Sequence, residues 1–149
     1  EHVKRKNIVQ INHSISSSIG SIRGMHYQIS PYSEMKLVRC IKGSVWDVAV
    51  DIRKGSPSFL KWHAELLSAE NSKMMVIPEG FAHGFQVIEK NSELLYLHTE
   101  FYNKNFERGL HYNDEKLSIS WPLPITNVSE KDNNFKKIDN TFGGLKIEM

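Results

Sequence analysis

Apolar and polar residues alternate along most of this chain with the two-residue period of half-buried β-strands, and the apolar spacing of a long helix is missing. Glu34 to Arg53 predicts two strands joined at a turn by Lys42, Gly43 and Ser44. The second holds Val45, Trp46, Val48, Val50 and Ile52, β-branched or aromatic side chains that suit a pleated, packed surface. Arg53 to Pro57 is a turn cluster, and Phe59 to Ser68 is a further strand. Met74 to Ile77 reads as a short strand stopped by Pro78, Glu79 and Gly80. Phe85 to Ile88 and Glu93 to Tyr102 predict a pair of strands turning at Lys90 and Asn91. From Trp121 onward the alternation breaks up. Pro122, Pro124 and Ser129 to Asn134 predict loop, and the tail is expected to be irregular or to hold a short helix. Many short strands at near-regular spacing predict an all-β sandwich or barrel.

Composition narrows the class. A length of 149 residues fits one domain, residues 1–149, large enough to bury a core without disulfides. A net charge of +2 with scattered basic residues argues against a nucleic-acid binder. The basic cluster at Lys4, Arg5 and Lys6 is expected to be a solvated terminus. The single cysteine, Cys40, cannot form an internal disulfide, and its apolar neighbours predict a buried thiol. No apolar run is long enough to span a membrane and no leader is visible, so no membrane partner is expected and the cytoplasm is the expected compartment.

Candidate chemistry gathers around histidines. His26 and His83 each follow glycines that permit close backbone approach, and His98 lies on a predicted strand near Tyr96. Pro78-x-Gly80-x-x-His83 resembles the second half of the cupin signature. The first half reads His26-Tyr27-Gln28, with glutamine where a metal-binding cupin carries its second histidine. A metal site from His26, His83 and Glu34 is the alternative, but glutamine is a poor ligand, and the expectation is no metal.

Arg23-Gly24-Met25-His26-Tyr27-Gln28 resembles the RGLHYQ motif of the dTDP-4-dehydrorhamnose 3,5-epimerase family. Lys36 to Arg39, Gly43 to Arg53, Ser56-Pro57, Ile77 to Phe85, Tyr96, Glu107 to Gly109, Ile119 to Pro122 and Ser129 to Asp132 follow in the family's order. The resemblance runs from Gln10 to Asp132. Two departures stand out. Family members carry, ahead of this stretch, a D-x-R-G-x-F segment that reaches across a dimer and helps hold the nucleotide base. This sequence opens at Glu1 close to the family's second block, so it is expected to be a truncated or short member with its base specificity open. Ser14 to Ser21 is a serine-rich loop, slightly longer than the family spacing.

The resemblance implies a cupin-type β-barrel (jelly roll) that epimerises C3, C5 or both of a nucleotide-activated 4-keto-6-deoxy sugar, without a cofactor and as a homodimer. The keto group acidifies the hydrogens on its neighbouring carbons. Inversion then needs a base on one face, an acid on the other and a cation for the enolate oxygen. By resemblance, His26 is the base, Asp132 its partner, Tyr96 the proton donor and Lys36 the cation. Arg23 is expected to grip the diphosphate, because a guanidinium matches phosphate oxygens. Strand alternation puts Arg23 and His26 on opposite faces, and Gly24 between them is the place for a bulge that re-aims one of them. Gln10, Asn12, Gln28, His83, Tyr102, Glu107 and Lys131 fall at the family's substrate contacts. The competing readings are a sugar-nucleotide-binding cupin and a metal-dependent cupin isomerase or oxygenase.

Overall fold

The computed structural model describes residues 6–147. Lys4 and Arg5 lie outside them, while Lys6 pairs with Glu79. The described residues form nine strands and one short helix. One antiparallel sheet has the order β1 (Gln10–Ser16), β8 (Ser92–His98), β3 (Lys36–Lys42), β6 (Met74–Ile77). The other has the order β5 (Trp62–Ser68), β4 (Ser44–Asp51), β7 (Phe81–Val87), β2 (Ile22–Gln28), β9 (Glu107–Gly109). The helix α1 is Glu130–Asn133, capped by the Ser129 side chain.

Two cores follow from the alternation on β4. Val45 and Ala49 point between the sheets, where they pack with Val38, Cys40, Met75, Phe85, Val87 and Leu94. Val48, Val50 and Ile52 point to the opposite face of the five-stranded sheet. There Leu110, Leu117 and Ile138 cover them, so the C-terminal third of the chain straps down the sheet's outer side. Cys40 is fully buried, as its neighbours predict.

Three expectations need correction. Phe85–Ile88 and Glu93–Tyr102 do not pair. β7 bonds to β4 and β2, whereas β8 bonds to β1 and β3, so the chain changes sheets at this turn. Phe85 and Leu94 share the core from opposite walls, and alternation alone does not distinguish neighbours from strands that face each other. Ser14–Ser16 belongs to β1 rather than to a loop. The predicted strand from Phe59 begins only at Trp62, because Leu60 turns with a positive φ of 63°.

The end of β4 is locked by one carboxylate. Asp51 is buried and accepts from Arg53 Nε and Nη2 at 2.9 and 2.7 Å and from the Ser56 and Ser58 hydroxyls at 2.6 Å each. Burial alone would raise the Asp51 carboxyl, but these hydrogen bonds override it and hold it well below the usual carboxylate range. Its stabilising effect is therefore complete above the unfolded value of about 4 and is lost as pH falls through the folded value. Asp51→Ala is expected to lower the unfolding free energy by about 2–3 kcal/mol near neutrality, measured by urea titration. The gap from the parent should narrow as the pH is taken below about 4. A gap that stayed constant into acid would contradict this account.

Candidate active site

β2 supplies the centre of the site through a break in its register. Its pairing with β7 shifts between Arg23 and His26. Gly24 sits there with φ 128°, and a Cβ on it would lie 2.5 Å from the Gly84 Cα. A Cβ on Gly84 would in turn lie 2.6 Å from the Arg23 carbonyl oxygen. The two glycines thus let the strands meet where the bulge forms, and Arg23 and His26 line one cavity. The bulge also frees the Gly24 amide, which donates to Asp132 Oδ2 at 3.0 Å.

Asp132 reaches the site from α1 and is buried. Its Oδ1 lies 2.6 Å from His26 Nε2. A carboxylate acceptor places the proton on that nitrogen and leaves the other ring nitrogen unprotonated in the neutral imidazole. Burial would raise the Asp132 carboxyl, but His26, the Gly24 amide and Lys131 outweigh it and hold the group below its ordinary value. The His26 ring also meets Phe135 edge-on at 5.7 Å.

The cavity between the sheets measures about 510 Å³. Asn12, Arg23, His26, Gln28, Lys36, His83, Tyr96, Tyr102 and Glu107 all line it, so nine predicted residues meet there. Arg23 is exposed, and its guanidinium has no hydrogen-bond partner among the described residues. Tyr96 stands on β8 of the four-stranded sheet, whereas His26 stands on β2 of the five-stranded one. Burial pushes the Tyr96 hydroxyl above its ordinary value, keeping it protonated. Ser14 donates to it at 3.4 Å.

Three predicted residues are not on the cavity wall. Asp132 stands behind His26, and Gln10 bonds Asn12 and the Tyr102 amide. Lys131 pairs with Glu107 at 3.1 Å and borders an adjoining cleft. Gln28 lines the cavity, yet its amide is largely engaged by backbone. Nε2 donates to the Tyr32 and Phe101 carbonyls, and Oε1 accepts from the Asn103 amide at 2.7 Å.

Two carboxylates organise the wall: Asp47, to which sequence reasoning gave no role, and Glu34, which it considered only as a metal ligand. Asp47, fully buried, holds His83 Nε2 at 2.7 Å. Glu34 meets Lys36 Nζ at 3.1 Å and His98 Nδ1 at 2.7 Å. The i, i+2 spacing of Glu34 with Lys36 was the available signal for the second group. His26, His83 and Glu34, the alternative metal ligands, thus answer to different partners. No group of three or more His, Cys, Asp or Glu with metal-binding geometry occurs among the described residues.

Two antiparallel sheets closed over a cavity with histidine–carboxylate pairs at one end define a cupin-type barrel with a polar site inside it. A family model described as dTDP-4-dehydrorhamnose 3,5-epimerase matches residues 1–140, and the chain belongs to that family. The dTDP-4-dehydrorhamnose 3,5-epimerase of Shigella flexneri is 51% identical over 138 residues, covering 92% of this chain and 76% of its own. The dTDP-6-deoxy-D-glucose-3,5-epimerase of Legionella pneumophila, solved in complex with dTDP-4-keto-L-rhamnose, has a TM-score of 0.88 at 40% identity and covers 97% of this chain and 77% of its own. A 3′-monoepimerase from Streptomyces bikiniensis, solved with dTDP-quinovose, has a TM-score of 0.82 at 30% identity and covers 87% of this chain and 66% of its own.

The bulge yields a test. Gly24→Ala places a methyl group against Gly84 and the His83 carbonyl in a backbone region that disfavours side chains. The variant is expected to lose on the order of 1–3 kcal/mol of stability, read by urea denaturation. A variant as stable as the parent would show that the bulge does not need glycine.

Proposed function

We propose that this chain epimerises C3, C5 or both of a dTDP-4-keto-6-deoxy sugar, converting a dTDP-4-dehydro-6-deoxyglucose type of substrate to the dTDP-4-dehydrorhamnose type in deoxysugar biosynthesis. The observation that carries this reading is the His26–Asp132 pair at 2.6 Å, set in one cavity with Lys36 and with a protonated tyrosine on the facing sheet. The dTDP-4-keto-L-rhamnose bound to the Legionella pneumophila relative supports the sugar class.

In this mechanism the free nitrogen of His26 takes the hydrogen beside the keto group. Asp132 orients the ring and stabilises the imidazolium, as carboxylates do in catalytic triads. Lys36 donates to the oxygen as the enolate forms, a stabilisation strengthened where water is excluded. Tyr96 returns a proton from the opposite face, and its raised hydroxyl favours the donor state. Arg23, exposed at the cavity with its guanidinium free of partners among the described residues, is suited to the diphosphate. Asn12, Tyr102 and His83 contact the substrate on the wall, with His83 held by Asp47. Gln10, Gln28, Glu107 and Lys131 complete the set, and the bonds of Gln10 to the Tyr102 amide, of Gln28 to the Asn103 amide and of Lys131 to Glu107 suit them to shaping the cavity rim.

Partner and compartment extend the reading. The outer face of the four-stranded sheet exposes Ile11, Ile15, Ile41, Met74 and Val76, an apolar surface that a second copy would cover in a homodimer. No helix among the described residues is long and apolar enough to cross a membrane. A lone buried thiol suits the reducing cytoplasm, where this reading places the chain.

Incubation with dTDP-4-keto-6-deoxyglucose in deuterated water tests the reaction. The parent should incorporate deuterium at C3, C5 or both, and His26→Ala at neither. Tyr96→Phe should still exchange deuterium, through return of a solvent-derived proton by His26, while inversion falls by a factor on the order of 10²–10⁴. Equal losses of exchange and inversion would remove Tyr96 from the donor role, and no incorporation by the parent would remove the epimerase reading.

For the homodimer, sedimentation at micromolar concentration should give a dimer for the parent and a monomer for the double variant Ile11→Asp, Ile15→Asp. A monomeric parent would refute the assembly.

A further inference from the structure

His98 stands directly opposite Lys36 in the register of β8 and β3, so their side chains are neighbours on one face of the sheet. Both line the cavity. Glu34 joins them through separate oxygens, Oε1 to Lys36 Nζ at 3.1 Å and Oε2 to His98 Nδ1 at 2.7 Å. That bond fixes the proton on Nδ1. The other ring nitrogen, Nε2, is buried and has no partner among the described residues. An unpaired buried polar atom costs on the order of 1–3 kcal/mol, and this one belongs to a side chain that lines the cavity.

We propose that His98 Nε2 is a substrate contact that hydrogen-bonds a ring hydroxyl of the sugar, next to the oxygen held by Lys36. This rests on the epimerase reading above. A hydroxyl suits the site because it both donates and accepts. It satisfies Nε2 as a lone pair on neutral imidazole and as a donor on imidazolium. The shared carboxylate ties the two sites together: Glu34 holds the lysine for a carbonyl oxygen and the imidazole for the hydroxyl on the adjacent carbon. Tyr96, two residues back on the same face, stacks on the His98 ring at 6.0 Å and holds its plane. His98 is thereby a specificity group, reading an oxygen substituent beside the reacting ketone.

The test measures binding rather than turnover. Calorimetry compares dTDP with dTDP-quinovose, a nucleotide sugar that bears ring hydroxyls but no ketone, on the parent, on His98→Leu and on His98→Gln. The parent should prefer the nucleotide sugar. His98→Leu should weaken dTDP-quinovose about tenfold and leave dTDP unchanged. His98→Gln, whose amide donates and accepts, should recover part of the loss. Unchanged dTDP-quinovose affinity in His98→Leu, or equal weakening of both ligands in both variants, overturns the role of His98 and leaves the epimerase reading standing. A parent with no preference for dTDP-quinovose over dTDP overturns sugar recognition itself, and the role of His98 with it.

Discussion

One buried anion holds the site together. Asp132 is 2% exposed, and a carboxylate so placed costs several kcal/mol unless its oxygens are met by donors. Its two oxygens are met by His26 and by the Gly24 amide, both on β2. The amide is available only because the strand bulges at Gly24, and the bulge is accommodated only because Gly84 lacks a side chain on the neighbouring strand. Ser129 closes the arrangement from the other end by accepting from the Asp132 amide at 3.1 Å. Bulge, imidazole orientation and docking of the chain's last third are therefore one cooperative unit rather than three separate features.

The interior between the sheets is graded along the strands. On β3, Val38 and Cys40 point into an apolar core, while Lys36 on the same face lines the cavity. On β8, Leu94 belongs to the core, and His98 to the cavity wall, with Tyr96 packed at the boundary. The apolar end supplies the burial that keeps the sheets together. The polar end is lined by carboxylates met by donors, Asp132 by His26, Asp47 by His83, and Glu34 by Lys36 and His98.

The strands with conventional alternation were legible in the sequence. β3, β4 and β6 place apolar residues inward and are recognised at once. β1 escaped because its pattern is inverted. Ile11 and Ile15 face outward, while Gln10, Asn12 and Ser14 face the cavity side. The separation of β7 from β8 was not legible, since a short turn looks the same whether it joins neighbours or crosses between sheets. The bulge at Gly24 was legible because a glycine stood between two residues expected to share a ligand. Asp132 was reached only through family resemblance, for an aspartate in a polar loop carries no local sign of burial. The partnership of His98 with Glu34 spans 64 residues and depends on strand order, which periodicity does not encode.

The strap formed by the C-terminal third also sets when the site comes into being. His26 and Asp132 are 106 positions apart, so the whole stretch between them must leave the ribosome before they can meet. Closing so large a loop is an entropic expense that neither residue repays alone. It is offset by the burial of Leu110, Leu117 and Ile138 on the outer face of the five-stranded sheet. A partly folded chain with its sheets formed and its tail free would hold an imidazole without a carboxylate. The pairing of these two side chains thus depends on the docking of the strap as much as on the sheets themselves.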